Sequence, residues 1–504
     1  MAALSFALGA RASRQKKGSG RLAPVKLLRI LFPTLGAFAG GVLVGSYRAD
    51  ATPGNQNPYH SVNQLGRVLV QVENNYVDPV ERDRLVEGAI KGMVENLDPH
   101  SAYMPPEEWR QFQSDTEGKF GGVGLEVDGR GDKLIVIAPI EGSPAQRAGI
   151  KSGDQIVAVD GEDVLGQPLE KVVKRMRGAA GTKVKITMLR EVKGAKAKDA
   201  KELKEEAADA GAAHDAAPPE RTGQTLTFEL TREVIHVSAV LHKLLDGNVG
   251  YLRIKQFQER THAELMAAAA KMRAESKYGG FAGVLLDLRS NPGGLVDEAT
   301  EIADEFLASG GIYSMRHRGQ VIEDLKARPG GAFADLPVVV LVNEWSASAS
   351  ELLVGALQDN KRATVVGANT FGKGSVQSIL PLPNNAGLKL TTARYYTPSG
   401  HAIQADGIHP DVVLEPGTRG PAEPPKVIRE RDLPGHLPAE GPQGGSAPRD
   451  AGTALRVDAG PGDEVAGTIA RDIPEDPSAS NDVVLRVGYQ MLRAQMSAKA
   501  PLQK

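Results

Sequence analysis

Apolar and polar positions follow three different rhythms along this chain, and each marks a region. From Ser61 to Leu97 apolar residues recur at helical spacing: Val62, Leu65, Val68, Leu69 and Val72, then Leu85, Ala89, Met93 and Val94. Asp98-Pro99 stops that pattern, because a residue before proline is pushed out of the helical region. From Phe120 to Thr231 the apolar runs are short and punctuated by glycine. They predict strands over 134–137, 155–159, 184–189 and 226–230 and a helix over 169–176. From Val249 onward continuous apolar runs alternate with amphipathic ones. Residues 281–288 and 338–342 read as strands buried on both faces, as a parallel sheet requires. Residues 364–366 and 388–396 read as further strands, and 295–307 and 349–357 as helices. Strand–helix alternation of this kind is an α/β core.

Three stretches carry no such rhythm. Residues 191–224 are rich in Ala, Lys and Glu with no face to bury, so they read as an insertion between two strands. Residues 417–480 are rich in Pro, Gly, Asp and Glu and read as a disordered linker before a final amphipathic helix over 483–496. At the other end, Arg11, Arg14, Lys16, Lys17, Arg21, Lys26 and Arg29 precede an uncharged run from Ile30 to Tyr47. A basic flank before an apolar run is an export signal, and this run is near the lower limit for spanning a bilayer. No clean small-x-small cleavage site stands at Val44-Gly45-Ser46, so an uncleaved anchor is favoured over a cleaved signal. The basic flank stays in the cytoplasm and the remainder is exported. The expected domains are a signal or anchor over 1–50, a helical element over 58–104 and a glycine-turned β domain over 105–232. An α/β core over 233–416, the linker and a C-terminal helix with its tail over 481–504 complete them.

Composition narrows the chemistry. The 504 residues carry a net charge of -2, which gives no global reason to expect nucleic acid. Cysteine is absent, which removes disulfides, thiolate metal sites and a cysteine nucleophile. The histidines show no His-Glu-x-x-His spacing, and there is no Gly-x-Ser-x-Gly elbow.

Two strand-to-helix junctions remain. One is Asp287-Leu288-Arg289-Ser290-Asn291-Pro292-Gly293-Gly294; the other runs from Asn343 to Ser350 and contains Ser346, Ser348 and Ser350. Ligands of open α/β sheets bind at the carboxyl ends of strands, where helix N-termini present unpaired N–H groups. By itself either junction is more often a turn or a helix cap than a site. Lys373 in Phe371-Gly372-Lys373-Gly374 changes that balance, since a serine nucleophile needs a base and a lysine serves only when neutral. No Asp or Glu lies between Gly367 and Leu390, so no neighbour in sequence holds the ammonium form. The glycine cluster Gly121-Gly122-Val123-Gly124-Leu125, opening the β domain, offers successive N–H groups to a peptide carboxylate.

Together these residues resemble the carboxyl-terminal processing peptidases, or tail-specific proteases, which are serine–lysine enzymes carrying a PDZ domain. The resemblance covers roughly residues 60 to 415. It rests on the PDZ glycine loop, the Asp-Leu-Arg-x-Asn-Pro-Gly-Gly junction, the Ser-Ala-Ser-Ala-Ser-Glu segment and Phe-Gly-Lys-Gly-x-Val-Gln. It implies a multidomain α/β protein with a crotonase-like spiral core, a PDZ domain and an N-terminal helical element. It implies Ser348 as nucleophile, Lys373 as general base and Gln377 as the residue orienting the lysine. The oxyanion donors would be the amides of Gly294 and Ala349, with Gly293 a close rival. Gly122, Val123, Gly124 and Leu125 would bind peptide, and Arg177 would couple ligand sensing to activation. No metal or organic cofactor is required. The implied partners are proteins or peptides with free, apolar C-termini, a helical-repeat adaptor, a second copy of the chain and the inner membrane. The implied location is the periplasmic face of that membrane, or the periplasm if the signal is cleaved. The rival readings are a non-catalytic PDZ scaffold and a crotonase-type acyl-CoA enzyme.

Overall fold

The computed structural model describes residues 58–190, 223–415, 427–439, 455–458 and 473–499. The apolar run at 30–47 and nearly all of the insertion lie outside the described residues. Among the described residues, no helix is long and apolar enough to cross a membrane. The chain divides into two compact units, Met1–Val86 and Glu87–Lys504.

In the first unit the helix Pro58–Asn75 leaves Val62, Leu65 and Val68 exposed. The helical element expected from 61 to 97 consists of two helices, Pro58–Asn75 and Arg82–Glu95. The break holds Asp78-Pro79, so the rule that ends the pattern at Asp98-Pro99 acts once more within it.

In the second unit the glycine-punctuated region is an antiparallel sheet. Its strands run Leu125–Arg130, Lys133–Pro139, Gln155–Val159, Lys183–Arg190 and Gln224–Thr231, in that spatial order. The helix Leu169–Met176 buries Val172 and Met176 against it. The last two strands pair as far as Arg190↔Gln224, so Gln224 belongs to a strand rather than to the insertion. Polar residues at an exposed strand end hide its continuation from a pattern of apolar positions. Arg232 then donates to the carbonyls of Arg175, Met176 and Lys183, which fixes the end of that helix and places Arg177.

The core is a seven-stranded sheet in the order Val240–Leu245, Val249–Ile254, Gly283–Asp287, Val338–Val342, Thr364–Gly367, Val412–Glu415, Leu455–Asp458. The first pair is antiparallel and the rest are parallel. One face packs against the helices Thr261–Glu275, Val296–Phe306 and Ala349–Asp359; the other packs against Val483–Lys499. All residues of Gly283–Asp287 and Val338–Val342 are buried, which explains the apolar runs Gly283–Leu286 and Val338–Val342; the buried Asp287 is paired with Arg289. A second sheet joins Ala102–Met104, Gly387–Tyr396, Gly311–His317 and Gln320–Lys326, with Ser375–Pro381 paired to Gly387–Tyr396.

The stretch expected to be a disordered linker contains three described pieces, at 427–439, 455–458 and 473–480. Glu430 in the first has no exposed surface, and the second adds a parallel strand beside Val412–Glu415. The linker reading does not hold for these pieces. Composition averaged over dozens of residues does not register one buried side chain or a backbone-paired edge strand. Just beyond, the carboxylate of Asp482 receives two bonds from Arg289, whose guanidinium also grips Asp287. That buried cluster ties the final helix to the Asp287–Gly294 junction.

Candidate active site

The two junctions are knotted together by their own side chains. Ser346 Oγ donates to Leu288 O at 2.9 Å, and Ser350 Oγ donates to Asn291 O at 3.0 Å. Asn343 Oδ1 accepts from Ser290 N at 2.8 Å, and Ala347 N donates to Asn291 O at 2.9 Å. Ser346 and Ser350 are therefore buried structural serines. Ser348 differs from both: it is the N-cap of the helix Ala349–Asp359, half-buried, with φ 57° and ψ -117°. A non-glycine residue in that region is strained, and such strain persists only where the surroundings over-determine it.

Glu351 supplies that over-determination. Fully buried, its carboxylate accepts from Ser348 N at 2.8 Å and Lys373 N at 2.9 Å on one oxygen. The other oxygen accepts from Gly372 N and Thr370 Oγ1, each at 2.6 Å. Burial pushes the Glu351 carboxyl up to about 7, against the pull of these four donors. One carboxylate thus fixes the serine and the lysine loop together. The motif that holds Ser348 contains Glu351 as its last residue. Its signal is legible: Ser348-x-x-Glu351 has capping-box spacing at the start of an apolar helix.

Lys373 enters the same cavity, of about 600 Å³, that Ser348 and Gly294 line. Its Nζ donates to Gln377 Oε1 at 2.7 Å. Among the described residues no hydrogen bond joins Ser348 to Lys373. Gln377 is oriented in turn, since its Nε2 donates to Ser375 Oγ at 2.9 Å and to Thr391 Oγ1 at 3.3 Å. Thr391 donates to Asp98, which also holds Ser101. Burial, helped by the ammonium of Lys389, brings Lys373 down to about 8, although Glu430, Glu351 and Asp98 oppose the fall. Lys373 and Gln377 share one motif in the sequence, whereas nothing local marks Asp98, Ser101 and Thr391 as their supports.

Gly293 and Gly294 have φ 99° and 135°. A Cβ on Gly293 would stand 2.8 Å from Ser348 Cβ, so only glycine allows the loop this close to the serine. Gly293 N already donates to Asn291 Oδ1 at 2.9 Å, and Gly293 O accepts from Phe257 N at 2.9 Å. Gly294 stands next to it on the cavity wall, and Ala349 N opens the helix beside Ser348.

A second cavity, of about 410 Å³, lies against the antiparallel sheet. All five residues expected to bind peptide, Gly122, Val123, Gly124, Leu125 and Arg177, line it. The guanidinium of Arg177 lies 4.6 Å from the centre of the Phe120 ring and 3.7 Å from Asp115. Lys255, just past the core strand Val249–Ile254, also lines the cavity, and no motif in the sequence marks it. Burial lowers its pKa.

The chain is similar to several known proteins and protein families. A family model described as peptidase family S41 matches residues 248–414, and a PDZ domain model matches 135–190. The N-terminal domain model of the activating protease CtpB matches 46–108. A carboxy-terminal-processing protease of Bartonella bacilliformis is 36% identical over 474 residues, covering 94% of this chain and 97% of that protein. A probable CtpA-like serine protease of Staphylococcus epidermidis is 36% identical over 363 residues, covering 71% and 67%. The solved structure of a photosystem II D1 C-terminal processing protease is 30% identical with a TM-score of 0.40, over 70% of this chain and 92% of that one.

Proposed function

The chain belongs to peptidase family S41 as a serine peptidase of the carboxy-terminal-processing kind, and from that premise we propose an endopeptidase driven by Ser348 and Lys373. Ser348 Oγ attacks the scissile carbonyl while the neutral amine of Lys373 takes its proton. Gln377 orients the amine through the bond it accepts from Nζ. The amides of Gly294 and Ala349 hold the developing oxyanion. Gly294 is preferred to Gly293 because the Gly293 amide is already committed to Asn291. Protonated Lys373 then returns the proton to the leaving amine, and water, deprotonated by the same lysine, releases the acyl-enzyme. The reading rests most heavily on one observation: Glu351 binds the amides of both Ser348 and Lys373 at the edge of a single cavity.

Peptide selection belongs, in this reading, to the second cavity. Main-chain amides of Gly122–Leu125 receive the carboxylate of an apolar C-terminus, with Arg177 beside it. Lys255 faces that cavity, while the next two residues, Gln256 and Phe257, line the catalytic one. Occupancy of the peptide cavity therefore has a short path to the loop that carries Gly294. The core is read as a crotonase-like α/β spiral, supported by its parallel sheet covered on both faces. The substrates are envelope proteins, reached from the periplasmic face of the inner membrane; the basic flank and the apolar run at 30–47 support that location. A helical-repeat adaptor and self-association are part of the same proposal.

Replacement of the nucleophile tests the chemistry. With an unstructured protein such as casein as substrate, Ser348→Ala should lose activity by about four orders of magnitude or more while melting as the parent does. Ser346→Ala and Ser350→Ala should remain active, because their hydroxyls are spent on backbone carbonyls. Full activity in Ser348→Ala would sink the assignment.

A further inference from the structure

We propose that Glu430 is a positioning residue for Lys373, and that the strap carrying it, residues 427–439, completes the catalytic unit from outside the matched peptidase core. The inference rests on the reading of Lys373 as general base.

The peptidase family model ends at residue 414, and the sequence beyond it is dominated by Pro, Gly and charge. A residue there has no evident reason to be buried, yet Glu430 has no exposed surface. A buried carboxylate is costly unless its oxygens find donors. Both do: Gln404 Nε2 donates to Oε1 at 2.8 Å, and His100 Nε2 lies 2.7 Å from Oε2.

These bonds converge on the lysine loop. Glu430 N donates to Phe371 O at 3.2 Å. Gln404, held by Glu430 through its amide nitrogen, accepts from Gly374 N through its oxygen at 3.0 Å. A Cβ on Gly374 would fall 2.4 Å from Gln404 N, so the glycine is what admits this contact. The loop Phe371–Gly374 is thus held at both ends from the strap, while its middle amides, Gly372 N and Lys373 N, are held by Glu351. Glu351, from the nucleophile's own helix, holds the middle of the loop through its carboxylate; Glu430, 57 positions beyond Lys373, holds the ends through its backbone amide and through Gln404.

His100 adds a second route to the same lysine. Its amide donates to Asp98 Oδ1 at 2.9 Å, and Asp98 ends the chain Lys373–Gln377–Thr391–Asp98. The His100–Glu430 contact is therefore a clasp that closes the strap onto the turn behind Gln377. Its charge matters as well as its shape. Glu430 attracts the Lys373 ammonium and so opposes the burial that makes the amine neutral. The strap sets both where the lysine sits and how readily it gives up its proton.

Glu430→Gln keeps the size of the side chain and removes the charge. In the full chain, with an unstructured peptide substrate, it should lower kcat about tenfold and move the acid limb of the kcat profile to lower pH, by about half a unit to one unit. The direction follows from sign: without the anion the ammonium is less favoured, so the amine is free at lower pH. KM should stay within about twofold, since Glu430 does not line the cavity. A fall in kcat with an unmoved limb and a lower melting temperature would reduce Glu430 to a structural residue and overturn the proposal. If Glu430→Gln does not fold, Gln404→Met carries the test. It cuts the link to Gly374 and leaves the charge, so kcat should fall about tenfold with KM and the acid limb unchanged; an unchanged kcat overturns the proposal. Lys373→Arg, assayed alongside, separates the two levels of the argument. Turnover in that variant would defeat the general-base reading, whereas a dead Lys373→Arg with an unmoved limb in Glu430→Gln defeats this inference alone.

Discussion

The cavity around Ser348 and the cavity beside Gly122–Leu125 are comparable in size, about 600 and 410 Å³, and are built in opposite ways. Around Ser348 the polar groups are spoken for before any substrate arrives. Glu351 takes four donors, Gln377 holds Lys373, and Asn291 occupies the Gly293 amide. In the peptide cavity the cations are loosely held. Arg177 stacks on Phe120, with its Nε buried and without a partner, and no hydrogen bond or ion pair is made by Lys255 Nζ among the described residues. The difference teaches where rigidity is needed. A nucleophile, a base and an oxyanion hole must be pre-set within fractions of an ångström, because reorganisation during the reaction raises the barrier. A surface that reads many C-termini gains from groups whose hydrogen bonds are completed only by the ligand.

If that contrast is right, damage to the catalytic cavity should leave peptide binding intact. Gly294→Ala gives the largest expected separation. A Cβ there would meet Phe257 O at 2.0 Å on a backbone with φ 135°, so the loop must shift. The expected loss is about two to three orders of magnitude in kcat, the scale for losing one oxyanion donor. Affinity for a C-terminal peptide, measured by calorimetry, should stay within about twofold of the parent, because neither Gly294 nor Phe257 lines that cavity. Equal loss of both would mean the two cavities are one cooperative structure, and the comparison would break.

The converse experiment has a smaller effect. Amidating the C-terminus of a bound peptide removes a charge whose hydrogen bonds are worth about 1.5–3 kcal/mol. Binding should weaken about ten- to a hundredfold. The turnover number at saturating concentration of an unstructured substrate should change little. Unchanged affinity for the amidated peptide would remove the carboxylate-reading role from Gly122–Leu125 and Arg177.

The same contrast governs what could be read from sequence. The strand Val338–Val342 and the helix Leu169–Met176 declare themselves, because a buried strand is continuously apolar and a short amphipathic helix is periodic. Ser348, Lys373 and Gln377 were visible because each sits inside a compact motif, yet spacing alone left Ser346 and Ser350 as competitors. Their exclusion needed the hydroxyl partners, Leu288 O and Asn291 O, which are supplied by the other junction. The link of Asp98, His100, Gln404 and Glu430 to the lysine leaves no sequence signal, for they come from two segments on either side of it, the nearer 31 positions away and the farther more than 270, and follow no period. The break between the helices Pro58–Asn75 and Arg82–Glu95 is legible at Asp78-Pro79, where proline chemistry outweighs helical spacing.

The central claim is that burial makes Lys373 a base. Its most direct test is the dependence of kcat on pH for the intact enzyme, with an unstructured peptide so that recognition does not limit turnover. Burial and Lys389 bring the amine down to about 8 and burial holds Glu351 at about 7, so activity should be low near pH 6, rise across these ionisations and level off above the value for Lys373. A profile flat from pH 6 to 10, or one that rises only at the value of an ordinary exposed lysine, would contradict the account.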